Sequence, residues 1–159
     1  MKLYIKQSVF TFKDKFTVQN EYGHDVFYVD GSFLRIPKQF KVYDINYDEV
    51  AIIDRQMFRL FANYDIKTKH KNITLKRQFS FFRQVYILEG INWALQGNFT
   101  SHNYEVVQGG NPIMELRKHW FRWGDSYELN IPDDHDAILA LCIAICVDYE
   151  IYKDQSKSN

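Results

Sequence analysis

Asp133-Asp134-His135-Asp136-Ala137-Ile138-Leu139-Ala140-Leu141-Cys142-Ile143-Ala144-Ile145-Cys146-Val147-Asp148 is the stretch whose reading decides the fold. From Ala137 to Val147 every residue is apolar, with no Gly or Pro. A surface helix needs a polar side, and this run has none over three turns, so it predicts a helix buried all round. Eleven apolar residues rise only about 16 Å as a helix, roughly half of a hydrocarbon core, and charges bracket them closely. The run therefore predicts a core helix and not a membrane span. Pro132 sets up the turn before it. Asp133 or Asp134 is the expected N-cap, and Asp134 and Asp136 add negative charge at the positive end of the helix dipole. Asp148 and Glu150 sit toward the unfavourable end, which calls for solvent, Lys153 or an Arg to meet them.

Around the helix the chain alternates like β-strands. Segments with strand character are Lys2–Val9, Phe16–Asn20, Asp25–Val29, Phe40–Asp44, Glu49–Asp54, Phe58–Lys67 (one long strand or a bent pair) and Asn72–Arg77. Gln84–Leu88, Asn92–Gln96, His102–Val107, Pro112–Arg117 and Tyr127–Ile131 follow, about a dozen in all. A weak repeat joins them: an aromatic-x-aliphatic strand, a polar turn and an apolar strand. Phe16-Thr17-Val18 is matched with Val26–Val29, Phe40-Lys41-Val42 with Val50–Ile53, Tyr64-Asp65-Ile66 with Ile73–Leu75, and Tyr104-Glu105-Val106 with Ile113–Leu116. Successive hairpins that must hide their edges close into a barrel, and a barrel of this size has an interior to fill. The expected fold is mainly β: an antiparallel barrel of about twelve strands, closed around the C-terminal hydrophobic helix. Residues 1–152 read as a single domain and 153–159 as a polar tail that frays.

Composition bounds the function. Lys plus Arg and Asp plus Glu are 20 each in 159 residues, so no net field draws the chain to polyanions, which disfavours a nucleic-acid partner. The 13 Phe, 11 Tyr and 3 Trp suit strands, and seven Gly with three Pro argue against disorder. Met1-Lys2-Leu3-Tyr4-Ile5-Lys6 has no signal-peptide pattern, so the cytoplasm is the expected location, with a peripheral place at the membrane left open. Cys142 and Cys146 stand four apart on the helix, too distant for an unstrained disulfide, and read as small buried apolar side chains.

The order of hairpin strands, the segment His119-Trp120-Phe121-Arg122-Trp123-Gly124-Asp125-Ser126-Tyr127 and a final buried helix ending in Asp148 resembles the LURP-one-related family. Tyr4-Ile5-Lys6-Gln7 and Asp25-Val26-Phe27-Tyr28-Val29-Asp30-Gly31 are similar to its bacterial members. The resemblance covers essentially the whole chain and implies the tubby C-terminal-like fold shared with tubby proteins and phospholipid scramblases. Tubby relatives bind phosphoinositides and scramblase relatives associate with membranes, so the resemblance implies lipid recognition without assigning residues to it. The cysteine-rich and proline-rich segments of scramblases have no counterpart here, and scramblase-like activity is not carried over.

Catalytic patterns are missing. His24, His70, His102, His119 and His135 stand at no metal-ligand spacing from one another or from the cysteines. Capping accounts for Asp133-Asp134-His135-Asp136 better than a cation does. There is no nucleophile elbow, phosphate loop or dinucleotide fingerprint. No catalytic residue, metal ligand or cofactor is assigned. Two basic stretches remain. Lys67, Lys69 and Lys71 occupy a predicted loop, with Lys76 and Arg77 just beyond; Arg117, Lys118, Trp120, Arg122 and Trp123 mix cations with aromatics. Either suits phosphate groups, with Trp at a lipid interface. Each also has an ordinary reading, as a solvated hairpin tip and as a strand that buries alternate residues. The reading that follows is a non-enzymatic binding module for anionic phospholipid headgroups or another phosphorylated ligand. The alternative is a protein-interaction or structural domain with no small-molecule ligand.

Overall fold

The computed structural model describes residues 1–6, 15–32, 36–57, 60–80, 83–121 and 124–159, with the backbone alone at 119–121, 124, 125 and 135. Twelve strands form one sheet: β1 (Lys2–Lys6), β2 (Lys15–Asn20), β3 (Asp25–Gly31), β4 (Gln39–Tyr43), β5 (Glu49–Arg55), β6 (Asn63–Thr68), β7 (Asn72–Ser80), β8 (Arg83–Glu89), β9 (Ala94–Asn98), β10 (Asn103–Gln108), β11 (Asn111–Phe121) and β12 (Gly124–Asn130). The order is β8-β7-β6-β5-β4-β3-β2-β1-β12-β11-β10-β9, a meander in which the last strand pairs back onto the first. Leu3 faces Leu129 and Ile5 faces Tyr127 across that antiparallel join. Each repeat in the sequence is a hairpin in the structure, with Phe16 opposite Val29, Phe40 opposite Ile53, Tyr64 opposite Leu75 and Tyr104 opposite Leu116.

The barrel is nearly closed. No hydrogen-bonded ladder joins β8 to β9 among the described residues. Side chains cover that seam: the rings of Tyr86 on β8 and Phe99 after β9 meet edge to face with centroids 4.8 Å apart. Gly97 on β9 allows the close approach of β10. At φ +124, a Cβ there would lie 2.7 Å from the Tyr104 Cα, a position only glycine tolerates.

The helix α1 (Ala137–Lys157) fills the interior. Residues 139 to 148 are all buried on it, because sheet surrounds it on every side. Its start differs from the expected cap. A short 3-10 turn, Asp134–Asp136, precedes it, and Asp136 stands at the N-cap with no side-chain capping bond. Tertiary partners take the carboxylates instead: Asp134 lies 3.2 Å from the N-terminal ammonium of Met1, and Asp136 lies 2.9 Å from Lys71 Nζ. The helix also runs through residues 153–157, read from sequence as a fraying tail; Arg77 holds Asp154 there. None of the described helices is long and apolar enough to cross a membrane.

Two strand readings change. Phe58–Lys67 is not one strand: β6 begins at Asn63, Leu60 and Phe61 lie in the connection before it, and Phe58 and Arg59 fall outside the described residues. Val9, placed in the first strand, also falls outside them.

Because every pairing is antiparallel, connections alternate between two ends. The lower end holds the start of α1 and the β2–β3, β4–β5, β6–β7, β8–β9 and β10–β11 turns. The upper end holds the finish of α1 and the other six connections.

Candidate functional site

The β6–β7 hairpin is a tight turn built on Thr68. Its backbone N–H donates to the Lys71 carbonyl at 2.9 Å, and its hydroxyl donates to the same carbonyl at 3.0 Å. The Thr68 Oγ1 also accepts from the backbone N–H of His70 at 3.3 Å and of Lys71 at 3.0 Å. A hydroxyl used this way fixes the loop and leaves the lysine side chains outside it.

The five cations of this region are not one patch. Lys67 and Lys69 are exposed and have no ion-pair partner among the described residues. Lys71 is paired with Asp136 and lies 5.0 Å from the ring centre of buried Trp93, a cation–π contact that pins the turn to the barrel. Lys76, on the outer face of β7, is 2.7 Å from Glu89. Arg77 points the other way, because consecutive strand residues face opposite sides. It is 7 % exposed at the upper end, where it bonds Glu150 and Asp154 and covers the Phe79 ring at 5.1 Å. A buried guanidinium with two carboxylates cannot grip an external phosphate. Lys67 and Lys69 remain, with Lys71 as a partly neutralised neighbour.

The second basic stretch lies at the opposite end, on β11 and its hairpin. Arg117 is exposed and 3.3 Å from Glu115 on the same face. Lys118 faces Tyr127 in register and is half-buried with a partner of its own. Trp120 pairs with Asp125 in the backbone ladder; its side chain, and all of Arg122 and Trp123, lie outside the described residues. The two basic stretches therefore do not converge.

Sequence reasoning missed a buried polar cluster inside the upper barrel. Glu150, 3 % exposed, accepts from Arg55 Nε at 3.0 Å, from Arg77 Nη1 at 3.1 Å and from the Tyr64 hydroxyl. Burial and then the Glu150 charge push the Tyr64 phenol well above its ordinary range. Asp148 Oδ1 lies 3.1 Å from His102 Nδ1, and Oδ2 is buried without a hydrogen-bond partner. Burial raises the Asp148 carboxyl against the opposing pull of His102. The signal in the sequence was the pair of acids at the end of an apolar helix, which called for solvent, Lys153 or an Arg; arginines meet Glu150, and which ones, Arg55 and Arg77, was not legible. Nothing here is an exposed nucleophile. Burial pushes the Cys142 thiol up to about 12 and the Cys146 thiol well above its ordinary range, and such thiols stay protonated. Among the described residues no three His, Cys, Asp or Glu side chains converge as a metal site.

One pocket opens on the outer wall of β2, β3 and β4, about 430 Å³, with Thr17, Tyr28, Tyr43 and Tyr47 among its walls. Tyr28 and Tyr47 stack at 4.6 Å, and Lys15 at its rim is 3.0 Å from Asp30. With that charge already paired, the pocket is aromatic more than anionic-ligand-like.

A protein of Arabidopsis thaliana solved by X-ray crystallography is similar in structure over 94 % of this chain and 90 % of its own, with a TM-score of 0.61 and 14 % identity. At that identity the likeness concerns the fold. The uncharacterized protein YxjI of Bacillus subtilis (strain 168) is 27 % identical over 159 residues, 99 % of this chain and 98 % of the relative. The model of the LURP-one-related family matches residues 1–148, from the first strand to the buried Asp148 of the core helix, and the chain belongs to that family.

Proposed function

We propose that the protein is a non-enzymatic binding module for an anionic ligand, a phospholipid headgroup or another phosphorylated group. The observation that carries this reading is Lys67 and Lys69: two exposed lysines without acidic partners among the described residues, on a turn that Thr68 and the Lys71–Asp136 pair hold in place. A prearranged pair of ammonium groups binds phosphate with little ordering cost. The buried polar groups support the non-enzymatic half of the reading, because His102, Asp148 and Glu150 are spent on each other and on arginines inside the barrel.

The test is a calorimetric titration with inositol hexakisphosphate, run at low and near-physiological salt, on the native protein and on Lys67→Glu/Lys69→Glu. The native protein should bind, more weakly as salt rises. The variant should lose at least about tenfold in affinity, since two lysines beside clustered phosphate contribute roughly 1 kcal/mol each. No binding, or equal binding by both, would remove the hairpin from the reading. The second reading, a protein-interaction domain, draws on the exposed apolar side chains of the upper end.

A further inference from the structure

Tyr47 is a bulky residue at φ +63, in the left-handed region that suits glycine. The β4–β5 turn holds it there. Asp44 Oδ1 accepts from the backbone N–H of Asn46 at 2.8 Å and of Asp48 at 3.0 Å, and the Tyr47 N–H donates to the Asp44 carbonyl at 3.0 Å. The side chain gains little burial in return, being 68 % exposed. Its ring lies flat on Tyr28, with centroids 4.6 Å apart and planes 8° from parallel. Backbone strain kept for an exposed aromatic side chain points to a use beyond folding.

The ring belongs to the pocket on the outer wall of β2, β3 and β4. Thr17, Tyr28 and Tyr43 form one row across these strands, each in register with the next, and Tyr47 joins them from the turn. Three tyrosines thus line about 430 Å³, a volume usual for a small-molecule site. Aromatic faces carry negative potential and attract cations. The surrounding charge has the same sign. The turns that flank this wall, Glu21-Tyr22-Gly23-His24-Asp25 and Asp44-Ile45-Asn46-Tyr47-Asp48-Glu49, hold five acids and no Lys or Arg. Glu49 is 2.9 Å from Lys41, whereas Glu21, Asp25, Asp44 and Asp48 have no ion-pair partner among the described residues. An anionic ligand would be repelled here, so the chemistry that fits is cationic. A primary ammonium holds its water tightly and needs an acid inside the pocket, and Asp30 is already 3.0 Å from Lys15. A fully alkylated ammonium sheds water easily and needs only ring faces.

We propose that this pocket binds an organic cation through a quaternary ammonium group, held against Tyr28, Tyr43 and Tyr47 and drawn in by the carboxylates of the two flanking turns. The site lies on a different wall from the β6–β7 hairpin and takes the opposite charge. It goes beyond the anionic-ligand reading and does not rest on it.

The test is an amide chemical-shift titration of labelled protein with choline. Two comparison ligands separate the contributions: 3,3-dimethylbutanol, which has the shape of choline without its charge, and phosphocholine, whose phosphate would face the same acids. Native protein is compared with Tyr28→Leu, which keeps an apolar side chain, and with Tyr47→Gly, which suits φ +63 and so keeps the turn. Choline should give saturable shifts centred on Thr17, Tyr28, Tyr43 and Tyr47. The neutral isostere should bind at least about fivefold more weakly, and phosphocholine more weakly than choline. Each variant should lose at least about fivefold in choline affinity. No saturable shift with choline, equal binding of the isostere, phosphocholine binding as tightly as choline, or native affinity in either variant would overturn the inference. The hexakisphosphate titration on the lysine pair stands or falls separately from all these outcomes.

Discussion

Replacing Glu150 by Ala should be the most damaging single change in the upper barrel. The Glu150 side chain is 3 % exposed and gathers Arg55, Arg77 and Tyr64. Removing it leaves the Tyr64 hydroxyl without its acceptor and two guanidinium groups short of a carboxylate. Breaking a buried pair by deleting one partner costs about 3–5 kcal/mol. Two features place this case at the lower edge: the Arg55 side chain is 25 % exposed and can reach water, and Arg77 keeps Asp154. The expected loss is about 3 kcal/mol, or about 9 °C in Tm for a chain of this length. Thermal unfolding followed by circular dichroism, together with urea titration, measures it. Arg55→Ala, which leaves Glu150 with Arg77, should cost only about 1 kcal/mol. A loss below about 1 kcal/mol for Glu150→Ala would refute the claim that this cluster ties helix to barrel.

Three further outcomes follow from the packing. In Asp148→Asn the difference in Tm from the native protein should depend on pH with a defined sign. Burial raises the native carboxyl, so its contribution is greatest below the ordinary value of about 3.9 and is lost as pH rises through the native pKa. The variant should therefore gain on the native protein from about pH 4 upward and then level off; a variant that loses ground to the native protein as pH rises would mean the His102 pairing outweighs burial. Gly97→Ala, with a Cβ 2.7 Å from the Tyr104 Cα at φ +124, should lower stability by about 2 kcal/mol, measured by urea titration. Cys142 and Cys146 should resist a thiol reagent at neutral pH until urea unfolds the chain; rapid native-state labelling would show the helix leaving the barrel.

The core was legible in the sequence because its signals are local. An uninterrupted apolar run from Ala137 to Val147 leaves no face for water, and each aromatic-x-aliphatic segment finds its apolar partner one turn later. What was not legible depends on long-range partners. Asp134 looks like a cap, and Asp136 like a charge for the helix dipole, until Met1, ahead of the first strand, and Lys71, in the β6–β7 turn, arrive. Residues 153–157 look like tail because their composition is polar, yet Arg77 fixes Asp154 from β7. Lys76 and Arg77 read as one basic patch, but strand alternation sends one outward to Glu89 and the other inward to Glu150. Leu60 and Phe61 resembled strand residues because aromatic content alone does not separate a wall from an apolar connection. The candidate site shared that limit: the lysines of the hairpin could be named, while which of them kept a free charge depended on Asp136 and Glu89, distant in the chain.

The most direct test of the binding reading is an amide chemical-shift titration of labelled protein with inositol hexakisphosphate. Shifts concentrated on Lys67 to Lys71, saturable and weakened by salt, are the predicted result. An unmoved hairpin, or shifts confined to the upper end, would contradict it.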